Sequence, residues 1–120
     1  ERVKKLDKRI KVFHKNNEGL AATRDFGAAK SSESCEYLMF IDDDDLIEPT
    51  FLECAYWTLE TNKDAAWAYS DSIGFEGQEY LWNKYFDSEK LKKVNELISQ
   101  SLVRKSDFKL VRGYELEKRQ

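Results

Sequence analysis

An unbroken apolar run, Tyr37-Leu38-Met39-Phe40-Ile41, stops abruptly at four consecutive aspartates, Asp42 to Asp45. A run this short, apolar on both faces and flanked by polar residues, predicts a strand covered on both sides. Such a strand needs packing above and below it, so the chain is expected to be a sheet flanked by helices. In open α/β sheets, ligands bind where strands leave the sheet at their carboxyl ends. The acids stand at that place.

Adjacent carboxylates repel, and each resists ionisation beside the others, so a stabilising partner is expected. In extended backbone, side chains two apart point the same way. Asp42 and Asp44 would then share one side, and Asp43 and Asp45 the other. An Asp-X-Asp pair at a strand end can grip one hard cation through oxygen, and Mg2+ or Mn2+ is the natural choice. The same residues also make an ordinary solvated acidic loop that caps the next helix, and spacing alone leaves both readings open. An EF-hand calcium loop fits poorly, because Ile47 occupies the sixth position, where glycine is required.

Along the chain, Val3 and Leu6 lie at helical spacing in a charged segment, Glu1 to Lys8, which reads as the end of a surface helix. Ile10, Val12 and Phe13 suggest a short strand ending at His14 and Lys15. The single histidine has no evident partner and reads as a surface residue. Asn16 to Gly19 is a turn opening a helix over about Leu20–Lys30. Gly19 would let a ligand approach the backbone, and the N–H groups there attract phosphate. Arg24, just over a turn later, could serve that ligand or simply pair with Asp25 on a solvated face.

After the Tyr37–Ile41 strand, Pro49 suits a helix start. Phe51, Leu52, Ala55, Tyr56 and Leu59 then recur at helical period and mark a core face ending near Asn62. Ala65–Ser70 reads as another strand, again ending in an acid, Asp71. Ser72–Gly77 is a glycine-bearing turn region. Tyr80, Leu81, Trp82, Tyr85 and Phe86 form an aromatic cluster that suits core or partner contacts better than sugar stacking. Asp87 or Ser88 can cap a helix with Leu91, Val94 and Leu97. Ser99–Val103 is a strand with Arg104 at its end, and Ser106 can cap a short helix closed by Gly113 and Tyr114. Alternating helices and strands predict an α/β domain with a mostly parallel sheet and right-handed crossovers.

The 120 residues suit one domain, with enough apolar and aromatic content for a core. Lys and Arg number 20 against 23 Asp and Glu, a net charge of -3 with the signs intermixed, so no basic stripe points to nucleic acid. No apolar run reaches membrane-spanning length, and no signal peptide is visible. Cys35 and Cys54 lack metal-ligand spacing and read as reduced thiols, which favours the cytoplasm.

Several fragments resemble glycosyltransferase family 2. Asn17-Glu18-Gly19-Leu20-Ala21-Ala22-Thr23-Arg24-Asp25-Phe26-Gly27-Ala28-Ala29 is similar to that family's Asn-x-Gly…Ala-Arg-Asn-x-Gly segment, with Thr23 and Asp25 replacing Ala and Asn. Tyr37 to Pro49 resembles its apolar strand, Asp-x-Asp-Asp and downstream proline. Ala68-Tyr69-Ser70-Asp71 resembles its next strand. Ser101 to Tyr114 resembles its Arg-Arg-x-x-Phe-x-x-Val-Gly-Gly-aromatic segment, with Arg112 where glycine is usual.

The resemblance implies a three-layer, Rossmann-like GT-A fold, incomplete over residues 1–120. It also implies inverting transfer of a sugar from a nucleotide-diphosphate donor to a saccharide or lipid-linked acceptor. Asp44 is the implied direct ligand of Mn2+ or Mg2+, with Asp42 acting through water or on the ribose. Asn17, Gly19, Arg24, Asp43 and Asp45 would serve the donor. No catalytic base can be named, since Glu115 and Glu117 do not match the family's acidic pair. The chain therefore looks like the middle of such a domain, with no nucleic-acid partner, a possible homo-oligomer, and contact with the membrane only through its acceptor.

Two rivals remain from other classes. An aspartyl-nucleophile phosphatase also places Asp-x-Asp after an apolar strand, with Asp42 attacking phosphorus and Asp44 as acid. Against it, Leu46 stands where Thr or Val is usual, and that motif normally opens its domain. The other is a non-catalytic fragment that keeps the cation site and pairs through an uncovered sheet edge.

Overall fold

The computed structural model describes residues 7–77, 79–83, 85–94 and 98–114. Within them the order is α1 (Leu20–Lys30), β1 (Tyr37–Met39), α2 (Phe51–Thr61), β2 (Trp67–Ala68), β3 (Ser72–Ile73), β4 (Leu81–Trp82), α3 (Ser88–Leu91), β5 (Leu102–Arg104) and α4 (Lys105–Leu110). Residues 1–6 of the expected Glu1–Lys8 helix and the Leu97 end of the third helix fall outside this set, and Asp7 and Lys8 are not helical.

The main sheet has the order β1-β5-β2, and a separate β3–β4 hairpin follows β2 in sequence. β5 runs antiparallel to both neighbours, pairing Leu38 and Trp67 to either side of the same residue, Val103. This corrects the expectation of a mostly parallel sheet, for every strand pair among the described residues is antiparallel. The cause is one of insertion. β1 and β2 do run the same way, as a strand–helix–strand alternation requires, but they do not bond each other. A late strand enters between them from the opposite direction.

α2 covers one face of this sheet. Ala55 and Leu59 from the helix meet Ala68 and Leu102 from the strands, with Tyr37, Met39, Phe51 and Ala65 around them. Leu102 pairs with both Met39 and Ala68, so three strands present one face to the helix stripe read from the sequence. Asn62 ends the helix, its amide returning to the Thr58 carbonyl. Pro49 lies just before the helix rather than as its first residue, with Thr50 at the cap position.

Arg104 ties these layers together. Its guanidinium donates to the carbonyls of Ala65 (2.9 Å), Leu59 and Asn62 and to the Tyr37 hydroxyl (3.0 Å). Tyr37 in turn donates to Glu60 at 2.5 Å, and Lys63 reaches the same Glu60 oxygen at 3.0 Å. These donors, Tyr37 first and Lys63 next, hold the Glu60 carboxyl below its ordinary value of 4.5. The hydrogen bond to Glu60 and partial burial push the Tyr37 phenol up.

Other expectations shift locally. Ile10–Phe13 forms no strand. Phe13 packs edge-on against Phe26 of α1 at 6.2 Å, with Lys30 over both rings. The segment therefore uses its apolar residues on a helix instead of a sheet edge. His14 is exposed, and Cys35 and Cys54 are both free thiols. Asp87 caps α3 through the amides of Glu89 and Lys90, but the helix stops at Leu91. Ser106 caps nothing, since α4 follows the strand directly, at Lys105.

Leu59 is fully buried, whereas Leu110 is 80% exposed. Leu59→Ala should therefore cost about 2–5 kcal/mol in a urea titration. Leu110→Ala should cost about 0.5 kcal/mol or less. A carboxylate with a depressed pKa contributes stability that is complete above its ordinary value and is lost as pH falls through its lower folded value. Glu60 is such a group, so melting temperature followed below pH 4.5 should decline less steeply in Glu60→Gln than in the wild type.

Candidate functional site

β1 delivers its backbone to the acids, but the chain does not stay extended there. The strand ends at Met39, and the Asp45 amide donates to the Asp42 carbonyl at 3.2 Å, closing a turn with Asp43 and Asp44 at its apex. The expected alternation, Asp42 with Asp44 on one side and Asp43 with Asp45 on the other, is thus corrected. Strand periodicity does not apply across a turn.

Each acid has its own surroundings. Asp42 accepts from Arg24 at 2.9 and 3.2 Å through its two oxygens. Asp45 accepts from the Gln100 side chain. Asp43 and Asp44 are exposed and receive no hydrogen bond or ion pair from any described residue. Asp44 and Asp45 border an open cleft of about 1030 Å³ that runs to Asp71, Phe75 and Tyr80. Five acidic residues are among those lining it, Asp44, Asp45, Glu48, Asp71 and Glu76, and no Lys, Arg or His does so among the described residues.

Arg24 is not solvated, and it does not pair with Asp25. Its side chain is only 10% exposed. Its guanidinium lies 5.9 Å from the Phe40 ring centroid and 5.6 Å from that of Tyr114, within reach of a cation–π attraction. Burial alone would lower its pKa, but the hydrogen bond and charge of Asp42, with Tyr114 adding to them, outweigh burial and raise it. Asp25 turns elsewhere and accepts the Tyr114 backbone N–H at 2.9 Å. No sequence signal marks that contact directly. The one available hint is Asp25 itself, standing in the family pattern where asparagine, also an acceptor, is usual.

Asn17 and Gly19 form the turn before α1, with the Gly19 amide donating to Asn17 Oδ1 at 3.0 Å. Gly19 has φ of 88°, and a Cβ there would meet nothing within 4 Å. Neither residue lines the cleft, and nor do Arg24, Asp42 and Asp43. The structure thus brings Arg24 to Asp42, and Asp44 and Asp45 to the cleft, but it does not gather all seven candidates around one space.

No three Asp, Glu, His or Cys side chains converge as a metal site among the described residues. The donor chemistry nonetheless fits a hard divalent ion. Such ions are commonly held by one or two carboxylates plus substrate phosphates and water. Asp44 offers an unengaged carboxylate on the cleft wall.

A helix-covered sheet whose strand end carries an acidic turn beside an open cleft defines a layered domain of helices and strands. Its lineage is clear from comparison with known proteins. The chain belongs to glycosyl transferase family 2, whose sequence profile matches residues 1–113. Over 58 residues, 48% of the chain, it is 47% identical to an uncharacterized glycosyltransferase of Rickettsia bellii (strain RML369-C). It is 43% identical over 44% of its length to a Bacillus subtilis (strain 168) protein assigned the name glycosyltransferase EpsH. The matched stretches are 8% and 15% of those two proteins' own lengths. No solved structure matches significantly. No described helix is long and apolar enough to cross a membrane.

The turn after α4 holds two successive residues in the left-handed region, Arg112 (φ 63°) and Gly113 (φ 69°). A Cβ on Gly113 would lie 2.4 Å from Asp25 Oδ1. Gly113→Ala should therefore destabilise by at least about 1–2 kcal/mol, while Arg112→Gly should leave stability unchanged or raise it by up to about 1 kcal/mol, both read from urea midpoints.

Proposed function

We propose that the chain belongs to a three-layer GT-A transferase domain that moves a sugar from a nucleotide diphosphate to an acceptor hydroxyl, with inversion. Family membership supports the reaction class. The observation that carries the site reading is the acidic turn, which leaves Asp44 open on a cleft while Arg24 occupies Asp42.

In this reading Asp44 holds Mn2+ or Mg2+ directly, and Asp42 assists through water or the donor ribose. A divalent ion bound there would offset the negative charge that grows on the leaving diphosphate. The cleft gives an electrostatic reason for needing one. A diphosphate entering a cleft bordered by five acidic residues, with no described cation among its lining, meets net repulsion. Arg24 cannot supply the missing charge from its present place, because Asp42 already neutralises it. It therefore acts on the donor chiefly by fixing Asp42. Asp45, held by Gln100, faces the donor from the cleft wall, while Asp43, Asn17 and Gly19 lie off that lining and take no direct part in this reading. The acceptor is saccharide or lipid-linked, and the protein works in the cytoplasm, reaching the membrane through a lipid-linked acceptor.

Thermal melting with Mn2+ and a panel of nucleotide sugars tests this reading, since a ligand that binds only the folded state raises the melting temperature. A rise that needs both metal and nucleotide, and that disappears in Asp44→Ala, is expected. No response to metal and nucleotide together in the wild type sinks the site reading, and an equal response in Asp44→Ala sinks the assignment of Asp44.

A further inference from the structure

We propose that Asp25 and Tyr114 are positioning residues which together fix the guanidinium of Arg24, and through it the Asp42 end of the acidic turn. Only the ligand-binding arm of the test below rests on the function proposed above.

Neighbours on a helix point about 100° apart, so Arg24 and Asp25 leave α1 in different directions. Arg24 reaches across to Asp42, bonding both of its oxygens. Asp25 takes the backbone N–H of Tyr114, 89 residues away, at 2.9 Å. That single bond brings the turn after α4 against α1. The Tyr114 ring then comes back over Arg24 at 5.6 Å. Phe40, the residue just beyond β1, stands within range of the same guanidinium at 5.9 Å. Phe40, Phe108 and Tyr114 pack against one another with ring centroids 5.5–5.8 Å apart, which ties both walls of the Arg24 pocket together.

Backbone conformation fits the same purpose. Gly113 has φ of 69°, and a side chain there would strike the Asp25 carboxylate, so any other residue would strain the turn or displace Asp25. The Gly113 amide also returns to the Phe108 carbonyl at 2.9 Å, fixing the turn's own shape. An arginine left in a wide pocket would have several rotamers and several partners. Here the Phe40 and Tyr114 rings both stand within cation–π range of the guanidinium as it bonds Asp42. None of these residues belongs to the buried cluster of Ala55, Leu59, Ala68 and Leu102, so the latch can be loosened without emptying the core.

The test follows the Arg24 side chain by 15N relaxation at Nε, in the same 120-residue chain. The wild type should be as rigid as ordered backbone, with an order parameter of about 0.8, and Asp25→Ala should fall below about 0.6. Asp25→Asn keeps the acceptor oxygen and should restore rigidity. Tyr114→Leu removes the ring but keeps the N–H to Asp25, so it guards against a folding defect in Asp25→Ala and should also free Arg24. If Arg24 stays rigid in both Asp25→Ala and Tyr114→Leu, or is already mobile in the wild type, the latch is overturned.

The second arm measures Kd for Mn2+ with uridine or guanosine diphosphate. Asp25→Ala should weaken binding by about tenfold, as loss of a supporting residue around a metal site does, and Asp25→Asn should recover it. A wild type that binds neither nucleotide refutes the proposed function, while the relaxation arm still decides the latch. Binding that is equal in wild type and Asp25→Ala, with Arg24 mobile in the variant, overturns the link to Asp42.

Discussion

Arg104 is the hub of the polar contacts between the sheet and its covering helix. The last carbonyls of a helix lack partners within it, and burying them unmet is costly. α2 ends against the sheet, and the Arg104 guanidinium takes up its Leu59 and Asn62 carbonyls together with that of Ala65. A cation there also suits the negative end of the helix. The planar fork is what allows this, because a lysine offers one compact charge and could not spread its donors over three carbonyls and a phenol. The next residue works the other way. Lys105 is buried, with its ammonium on the Ser32 carbonyl at 2.6 Å and its amide on that of Glu36 at 2.8 Å. Two neighbouring residues thus pin β5 to α2 on one side and to the segment entering β1 on the other.

That arrangement explains which parts of the fold are legible in the sequence. α1 and α2 can be read almost to the residue, because turn residues, Pro49 and a 3.6-residue apolar stripe are local signals. β1, β2 and β5 can be read as segments for the same reason, though each is shorter in the structure than its apolar run. Pairing is what cannot be read. Val103 faces Leu38 on one side and Trp67 on the other, both far back in the chain. No local pattern carries the order β1-β5-β2. Ile10–Phe13 fails as a strand for the complementary reason. Its residues have strand character, but strand propensity yields to context, and Phe26 and Lys30 of α1 offer the nearer surface.

At the candidate site the legible part is composition and the illegible part is geometry. The sequence marks Arg24 and the four aspartates separately. Their pairing depends on α1 lying beside the exit of β1, which no spacing encodes. Arg24 looks like a solvated helix arginine paired to Asp25 because sequence neighbours are the default partners. The fold instead gives each a distant partner, Asp42 for one and the Tyr114 amide for the other. Arg104 stands out in the sequence only as the end of a strand. Its hub role depends on three carbonyls that carry no sequence signal, since every residue has one.

Four adjacent carboxylates raise the question of what makes them tolerable, and the turn and its neighbours answer it. The chain bends at Asp42, so the two-faced alternation of an extended strand does not apply. Arg24 neutralises the first acid and Gln100 gives the last a donor. The two at the apex stand in water, where charge is cheaply solvated and screened. Each of the four acids thus has either a side-chain donor or water around it. A cation at Asp44 would meet one unengaged carboxylate and otherwise water, too few protein ligands for firm binding on its own. Firm binding would come only with an anionic ligand supplying the remaining oxygens. The ion and a diphosphate would thus depend on each other for entry into a cleft that repels one and barely holds the other.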